Sequence, residues 1–386
     1  MRVLSFSYCF PNHAQPTWGI FVAQRLEALA RRVDLQVVSP VPVCPPLTSF
    51  RPSPGPVRDT WRGLKVYRPR FWYVPKLFKS ADARLYARGL RRRLRRLVAE
   101  WRPDMLDAHF IWPDGVAVGL LARELGVPYS VTLRGKIYPC LDVPSQRRQC
   151  CEALQNAAAV VSVSDPMAVV ARELGAAPER VHVVPNGVDT NMFRPVDRRQ
   201  ARRRIGLDHG GPLLATVGHL GRRKGHHEVI QALSHLDESV RLVLVGGDRA
   251  GGADTRALQR CIDRWGVRDR VLLAGVQPHE EIPLYLGAAD VSVLASYREG
   301  CPNVVLESLA CGRPVVATAV GTVPKQITDG VNGYVVPVRD PDRLAVALRT
   351  ALGRDWDCDA LASAVTGWDR VAEEVHNIWQ HETAPE

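Results

Sequence analysis

The feature that most restricts the fold is a rhythm. Short, apolar, β-branched runs alternate with helical segments, and the alternation starts twice. Residues 2–7 and 35–39 read as strands, with a loop at 11–17 and a helix at 19–32 between them. A β-loop-α-β opening is the first half of a doubly wound sheet, whose ligands sit beyond the carboxyl ends of the strands. The rhythm resumes at 105–108, 129–133, 160–164 and 181–184. It begins afresh at 213–217 and runs on through 241–246, 271–275, 290–295, 314–319 and 333–337. This predicts an α/β chain of two Rossmann-like, parallel-sheet domains: residues 1–190, residues 191–366, and a closing helix within 367–386 placed to pack back on the first domain. A length of 386 residues with 46% hydrophobic side chains is enough for two cores.

Two carboxylates stand at one strand end of the second domain. Residues 290–295 (D-V-S-V-L-A) lead to Ser296, and a helix over 302–311 follows. Pro302 suits its first turn, where a missing N–H costs nothing, and Gly312-Arg313-Pro314 supplies the stop. Glu307 is the sole charged group between Gly300 and Gly312, and a carboxylate on so apolar a helix is costly without a partner. Glu299 lies beside Gly300, which lets backbone approach a ligand, and the free N–H groups around Cys301, Pro302, Asn303 and Val304 at the helix start suit an anion. Two readings stay open on these residues alone: a capped core helix with two solvated glutamates, or an anion site flanked by carboxylates.

A second loop in the same domain bears on that choice. Gly218-His219-Leu220-Gly221-Arg222-Arg223-Lys224-Gly225 joins a strand to a helix at 226–236. Free N–H groups, the helix dipole and the cations together suit a diphosphate. The chain lacks both G-x-x-x-x-G-K-[ST] at this loop and G-x-G-x-x-G after its first strand, so neither a Walker loop nor a dinucleotide cofactor is supported. In the first domain, Gly19 is the position of the first turn best able to approach a substrate. His109 and Arg134 both end strands, where such sheets place their chemistry. A lone histidine is more often structural; two polar residues at neighbouring strand ends favour a site.

Charge is unevenly placed. The net charge is +11, yet residues 62–102 alone carry fourteen Lys or Arg against Asp82 and Glu100. Tyr86, Leu90, Leu94, Leu97 and Trp101 form one helical stripe in an arginine-rich segment. The stripe either lies on an anionic bilayer or packs on the domain's own sheet while the arginines face water. Residues 41–75, rich in proline and aromatics, read as a long irregular excursion. No apolar run reaches the length of a membrane span and no signal peptide opens the chain, which predicts a cytoplasmic protein with peripheral contact to the inner face of the membrane as an option. Nine cysteines without a C-x-x-C pair fit a reducing compartment. Cys140, Cys150 and Cys151 meet no zinc spacing, and no metal site is expected. No nucleic-acid-binding motif accompanies the basic segment.

Taken in order, Val184-Pro185-Asn186-Gly187-Val188-Asp189, the Gly218 to Gly225 loop, Ala289-Asp290-Val291, Glu299-Gly300 through Glu307-Ser308 to Ala310-Cys311-Gly312-Arg313-Pro314, and Asp329-Gly330-Val331-Asn332-Gly333 resemble the retaining glycosyltransferases of the GT-B fold known as glycosyl transferases group 1, family 4. The resemblance covers nearly the whole chain. It implies two domains facing across a cleft, and transfer of a sugar from a UDP- or GDP-sugar to a hydroxyl of a lipid-linked, polysaccharide or other glycan acceptor in cell-envelope or exopolysaccharide biosynthesis. It further implies that Glu299 holds hydroxyls of the donor sugar, Glu307 the ribose, and Lys224 with the N–H groups around Cys301 to Val304 the diphosphate, bordered by Gly19. Neither a metal nor another cofactor is implied.

The sequence departs from the family at three points. His219 stands where an arginine is frequent, leaving Arg222 or Arg223 to supply the charge. Arg134-Gly135-Lys136-Ile137 replaces a frequent histidine, and Gly321-Thr322-Val323-Pro324-Lys325 replaces G-G-x-P-E. A nucleotide-sugar epimerase or hydrolase of the same architecture, or a non-catalytic membrane binder, are the competing readings.

Overall fold

The structure, a computed structural model, describes residues 1–43, 56–73, 79–135, 137–207, 210–248 and 251–383. The chain divides into two compact units, Met1–Asn186 with Trp368–Glu386, and Gly187–Gly367.

Among the described residues the first unit has ten strands: β1 (Arg2–Phe6), β2 (Asp34–Val38), β3 (Val41–Val43), β4 (Arg58–Trp61), β5 (Leu64–Tyr67), β6 (Arg70–Trp72), β7 (Met105–His109), β8 (Tyr129–Leu133), β9 (Ala159–Ser162) and β10 (Val181–Val183). Eight form one sheet in the order β10-β9-β8-β7-β1-β2-β5-β4, parallel except for β4, which runs antiparallel to β5. Strand order reverses between β1 and β7, so the loops after these two strands flank the crevice that a doubly wound sheet offers to ligands. Val3, Leu4, Met105, Leu106 and Val131 have no exposed surface, as strands covered on both faces require. The last helix, Trp368–Thr383, packs on Ile20–Leu29, and buried Trp379 donates its indole N–H to Ser130 Oγ at 3.0 Å.

Two expectations change here. The segment at 41–75 is not wholly irregular: within the described residues β3 pairs with β6, and β4 and β5 make a hairpin. Its turn places both Arg62 and Gly63 at positive φ, the geometry that fits the strand twist, but an arginine in the first position hides the usual Asn-Gly or Asp-Gly signal. Residues 44–55 and 74–78 of that segment lie outside the described residues. The stripe offered to a bilayer also finds its partner inside. In the helix Asp82–Trp101, Tyr86, Leu90 and Leu94 are buried against β6 and the helix Val116–Leu125, and the Tyr86 ring stacks on Phe71 with centroids 5.3 Å apart. The arginines of the opposite face stay exposed. Tyr86, Leu90 and Leu94 of the stripe thus pack within the unit, while Leu97 and Trp101 stay half-buried.

The second unit is a six-stranded parallel sheet of β11 (Leu213–Val217), β12 (Arg241–Val245), β13 (Val271–Gly275), β14 (Val291–Leu294), β15 (Val315–Thr318) and β16 (Gly333–Val336), ordered β13-β12-β11-β14-β15-β16. Here the order reverses between β11 and β14. Asp290 anchors that junction: its Oδ2 accepts from the Leu213 N–H at 2.7 Å and from Arg202 at 2.6 Å, and Arg198 bonds its Oδ1. The helix expected over 302–311 runs Asn303–Ala310, with Pro302 in extended conformation just before it. Among the described residues no helix is long and apolar enough to cross a membrane.

Candidate active site

In the second unit the loops after β11 and β14 meet at the reversal of strand order. The first contains a short turn, Arg222–Lys224, closed by Gly225 at φ 69° before the helix His226–Ser234. A Cβ on Gly225 would run into the carbonyl oxygen of Ala295 at the end of β14, so glycine is what lets the loops lie together. The Tyr297 N–H donates to the Arg223 carbonyl at 2.9 Å, and the Tyr297 hydroxyl donates to Glu228 Oε1 at 2.5 Å. The second loop is buttressed in turn by the Thr322 N–H donating to the Gly300 carbonyl at 3.0 Å.

These contacts fix three charged side chains. Lys224 Nζ lies 2.8 Å from Glu299 Oε1, both side chains being largely buried, and Arg223 stands 3.9 Å from the other carboxylate oxygen. Lys224 also lies over Gly218, whose added Cβ would be 3.7 Å from Nζ. Glu307, in the first two turns of the helix Asn303–Ala310, is near enough to Lys224 to feel its charge. It keeps a share of its surface open, but the protein around it is dense enough that burial pushes its carboxyl up to about 7, with Lys224 pulling the other way. Among the described residues no side chain hydrogen-bonds that carboxyl. An acceptor held near neutrality beside a lysine is poised for a polar ligand.

Of the remaining second-unit residues proposed from sequence, Gly218, His219, Arg222 and Arg223 lie on the first loop and Gly300 to Val304 on the second. The His219 carbonyl lies 2.9 Å from Nε2 of His226, whose buried ring is pushed down to about 4 by burial. Arg222 reaches Glu228 at 3.7 Å. Cys301 accepts from Gln326 at 3.6 Å.

In the first unit, Gly19 precedes the helix Ile20–Leu29 at φ 73°, and a Cβ there would strike the Cys9 carbonyl. The loop after β1 thus needs glycine for its own packing. His109 ends β7 fully buried, with Nε2 3.0 Å from Asp107 Oδ2. Burial pushes its ring down to about 4 despite Asp107, which leaves it neutral at physiological pH. Burial opposes the charge on Asp107 too, but His109, Arg25 and Ser5 outweigh it and hold the carboxyl at about 2. Ser5 and Ser130 donate to its two oxygens at 2.8 and 2.9 Å. Arg134 is buried, donates to Asn186 Oδ1 at 2.8 Å, and stacks over Phe21 at 5.0 Å from the ring centroid.

Sequence reasoning missed Asp107 and Arg25. A carboxylate two residues before His109 inside a buried strand was the available signal; Arg25 gave none, because an arginine in an amphipathic helix is expected to face water.

The profile described as Glycosyltransferase Family 4 matches residues 19–192, and that described as Glycosyl transferases group 1 matches residues 197–364. The D-inositol 3-phosphate glycosyltransferase of Xylanimonas cellulosilytica is 32% identical over 306 residues, 72% of each chain. The chain belongs to the group 1, family 4 glycosyltransferases. This glycosyltransferase is also 29% identical over 336 residues to TuaC of Bacillus subtilis, provisionally described as a teichuronic acid biosynthesis glycosyltransferase, covering 84% of the present chain and 82% of the relative. Its fold is that of solved GT-B enzymes. Sucrose-phosphate synthase from Thermosynechococcus elongatus superposes with a TM-score of 0.80 at 21% identity over 98% of both chains. HepE of Anabaena, solved in complex with UDP, gives 0.75 at 18% identity over 98% of this glycosyltransferase and 99% of HepE.

Proposed function

We propose that this glycosyltransferase takes its sugar from a UDP- or GDP-sugar and delivers it, with retention, to a hydroxyl of a glycan or lipid-linked acceptor in cell-envelope or exopolysaccharide synthesis. One observation carries the reading: Lys224 pairs with Glu299 at 2.8 Å and its charge also acts on the Glu307 carboxyl. A departing nucleoside diphosphate needs positive charge where its negative charge grows, and Lys224, with Arg222 and Arg223 on the same loop, supplies it without a metal. Glu299 offers acceptor oxygens to donor-sugar hydroxyls, and Glu307 to the ribose diol. The N–H groups that open the helix Asn303–Ala310 face the same charge. In this reading the acceptor hydroxyl attacks on the leaving-group side and passes its proton to the departing phosphate. His109, 3.0 Å from Asp107, and Arg134, held by Asn186, are the first-unit groups assigned to the reaction.

The exposed arginines of the helix Asp82–Trp101 support peripheral attachment to the cytoplasmic face of an anionic membrane through charge alone. The test of the donor reading is a thermal-shift screen of UDP, GDP and their common sugars, since a ligand that binds only the folded chain raises its midpoint. One nucleotide series should raise the midpoint of the wild type and fail to do so in Lys224→Ala. An unshifted midpoint with every nucleotide would remove the reading.

A further inference from the structure

The first unit contains a cavity of about 720 Å³, within the range of small-molecule sites. Phe10, Trp18, Tyr73 and Trp112 wall it, while Asn12 and Gln146 add amide groups. Flat aromatic faces with a few polar groups between them suit the C–H faces and hydroxyls of a pyranose ring. Two further observations narrow what it takes.

The first is a buried acceptor in the cavity wall with no donor. Asp82 is 8% exposed; Lys79 approaches its Oδ2 at 3.4 Å, but buried Oδ1 has no hydrogen-bond partner among the described residues. Leaving such an oxygen unmet is costly, and a ligand hydroxyl satisfies it. The second is that the lining cations are already matched. Arg68 is buried, with Nη2 donating to the Pro11 carbonyl at 2.7 Å and to Asp59 at 3.3 Å. Lys79 lies over the Tyr73 ring, 4.4 Å from its centroid, and pairs with Asp82. A phosphate or carboxylate entering here would be desolvated without gaining an unpaired cation.

We propose that this cavity binds the sugar acceptor as an uncharged glycosyl ring, stacked on Trp18 with a hydroxyl donated to Asp82, and that it discriminates against phosphorylated acceptors. The inference rests on the glycosyl-transfer reading and names its acceptor class. A relative named for an inositol phosphate acceptor would therefore differ from this enzyme in acceptor charge.

The test uses the full-length protein and tryptophan emission, which Trp18 and Trp112 should make sensitive to occupancy. The probes are methyl glycosides of glucose, mannose, galactose and N-acetylglucosamine, with glucose 6-phosphate and inositol 1-phosphate as anionic probes and geraniol as an apolar chain. At least one methyl glycoside should saturate the signal, and the phosphates should bind more weakly. Trp18→Ala and Asp82→Asn should weaken the glycoside by about tenfold or more, the loss of one charged acceptor or one stacking platform, while Trp18→Phe keeps most of the affinity. Overturning results are no saturation with any glycoside, tighter binding of a phosphate, saturation by geraniol alone, or unchanged affinity in variants whose thermal midpoints show them folded. Nucleotide thermal shifts on the same samples report the second unit separately: their loss counts against nucleotide-sugar chemistry, and a failed sugar titration with intact shifts counts against the cavity.

Discussion

Lys224 Nζ lies 2.8 Å from Glu299 Oε1, and the two side chains come from loops that follow different strands of one sheet, β11 and β14. The pair holds a cation and an acceptor in fixed relation before any ligand arrives. In the proposed reaction an entering diphosphate would compete with Glu299 for the lysine and free the carboxylate for sugar hydroxyls. Lys224→Ala and Glu299→Gln should each lower kcat by about 10²–10³, the size of effect seen when one charge-stabilising group is removed. Circular dichroism of both variants should match the wild type and any fall in melting should be small, since both residues stand outside the strands and helices of the core.

Glu307 adds a pH dependence whose sign follows from burial. Its folded pKa of about 7 exceeds the ordinary 4.5, so the folded chain binds the proton more tightly. Stability should then fall as pH rises from about 4.5 to about 7 and level off above, by up to about 3 kcal/mol, less whatever its open surface screens. In the proposed donor site a ribose diol would donate to the ionised form, so nucleotide affinity should rise through the same range. Glu307→Gln should flatten both profiles; retained slopes in calorimetric titrations would assign them to another group.

Asp107 and Arg25 are buried opposite charges that act on one another near His109, and their role is to hold rather than react. Asp107→Ala strands the Arg25 guanidinium in the core and should cost about 3–5 kcal/mol by denaturant unfolding. Asp107→Asn should recover part of that loss and leave His109 with an altered tautomer preference, visible in its ring nitrogen NMR shifts.

Gly225→Ala tests the loop geometry. The residue sits at φ 69° and its new methyl meets the Ala295 carbonyl, so a loss of about 1–3 kcal/mol is expected together with a weaker nucleotide thermal shift. A variant as stable as the wild type with an unchanged shift would mean that the loop has room to move.

Arg92, Arg93 and Arg96 are exposed and, among the described residues, make no ion pair, unlike Arg91 and Arg95, which reach Glu124. Replacing all three with glutamine should weaken sedimentation with anionic vesicles by about 1 kcal/mol per residue and leave the melting midpoint unchanged. Equal partitioning of the wild type to neutral and anionic vesicles would contradict attachment through charge.

The sheet strands were legible because each is an apolar run bounded by turn residues, and Leu213 to Val217 and Val271 to Gly275 fall where the sequence puts them. The meeting of Lys224 and Glu299 was legible for the same reason: their loops follow β11 and β14, neighbours at the reversal of strand order, so topology brings them together. What eluded the sequence depends on contacts between distant segments. The helix Asp82–Trp101 carries the same stripe whether it meets lipid or Phe71, and only the partner strand β6 decides. The aromatic cavity gathers Phe10, Trp18, Tyr73 and Trp112 from three stretches of chain that no spacing rule connects.

Release of nucleoside diphosphate from a panel of UDP- and GDP-sugars, measured with and without a glycan acceptor, tests the proposed chemistry most directly. Wild-type enzyme should release the diphosphate stoichiometrically with glycosylated acceptor, and Glu299→Ala, melting normally, should do neither. Unchanged transfer by folded Glu299→Ala would contradict the central role given to the Lys224–Glu299 pair.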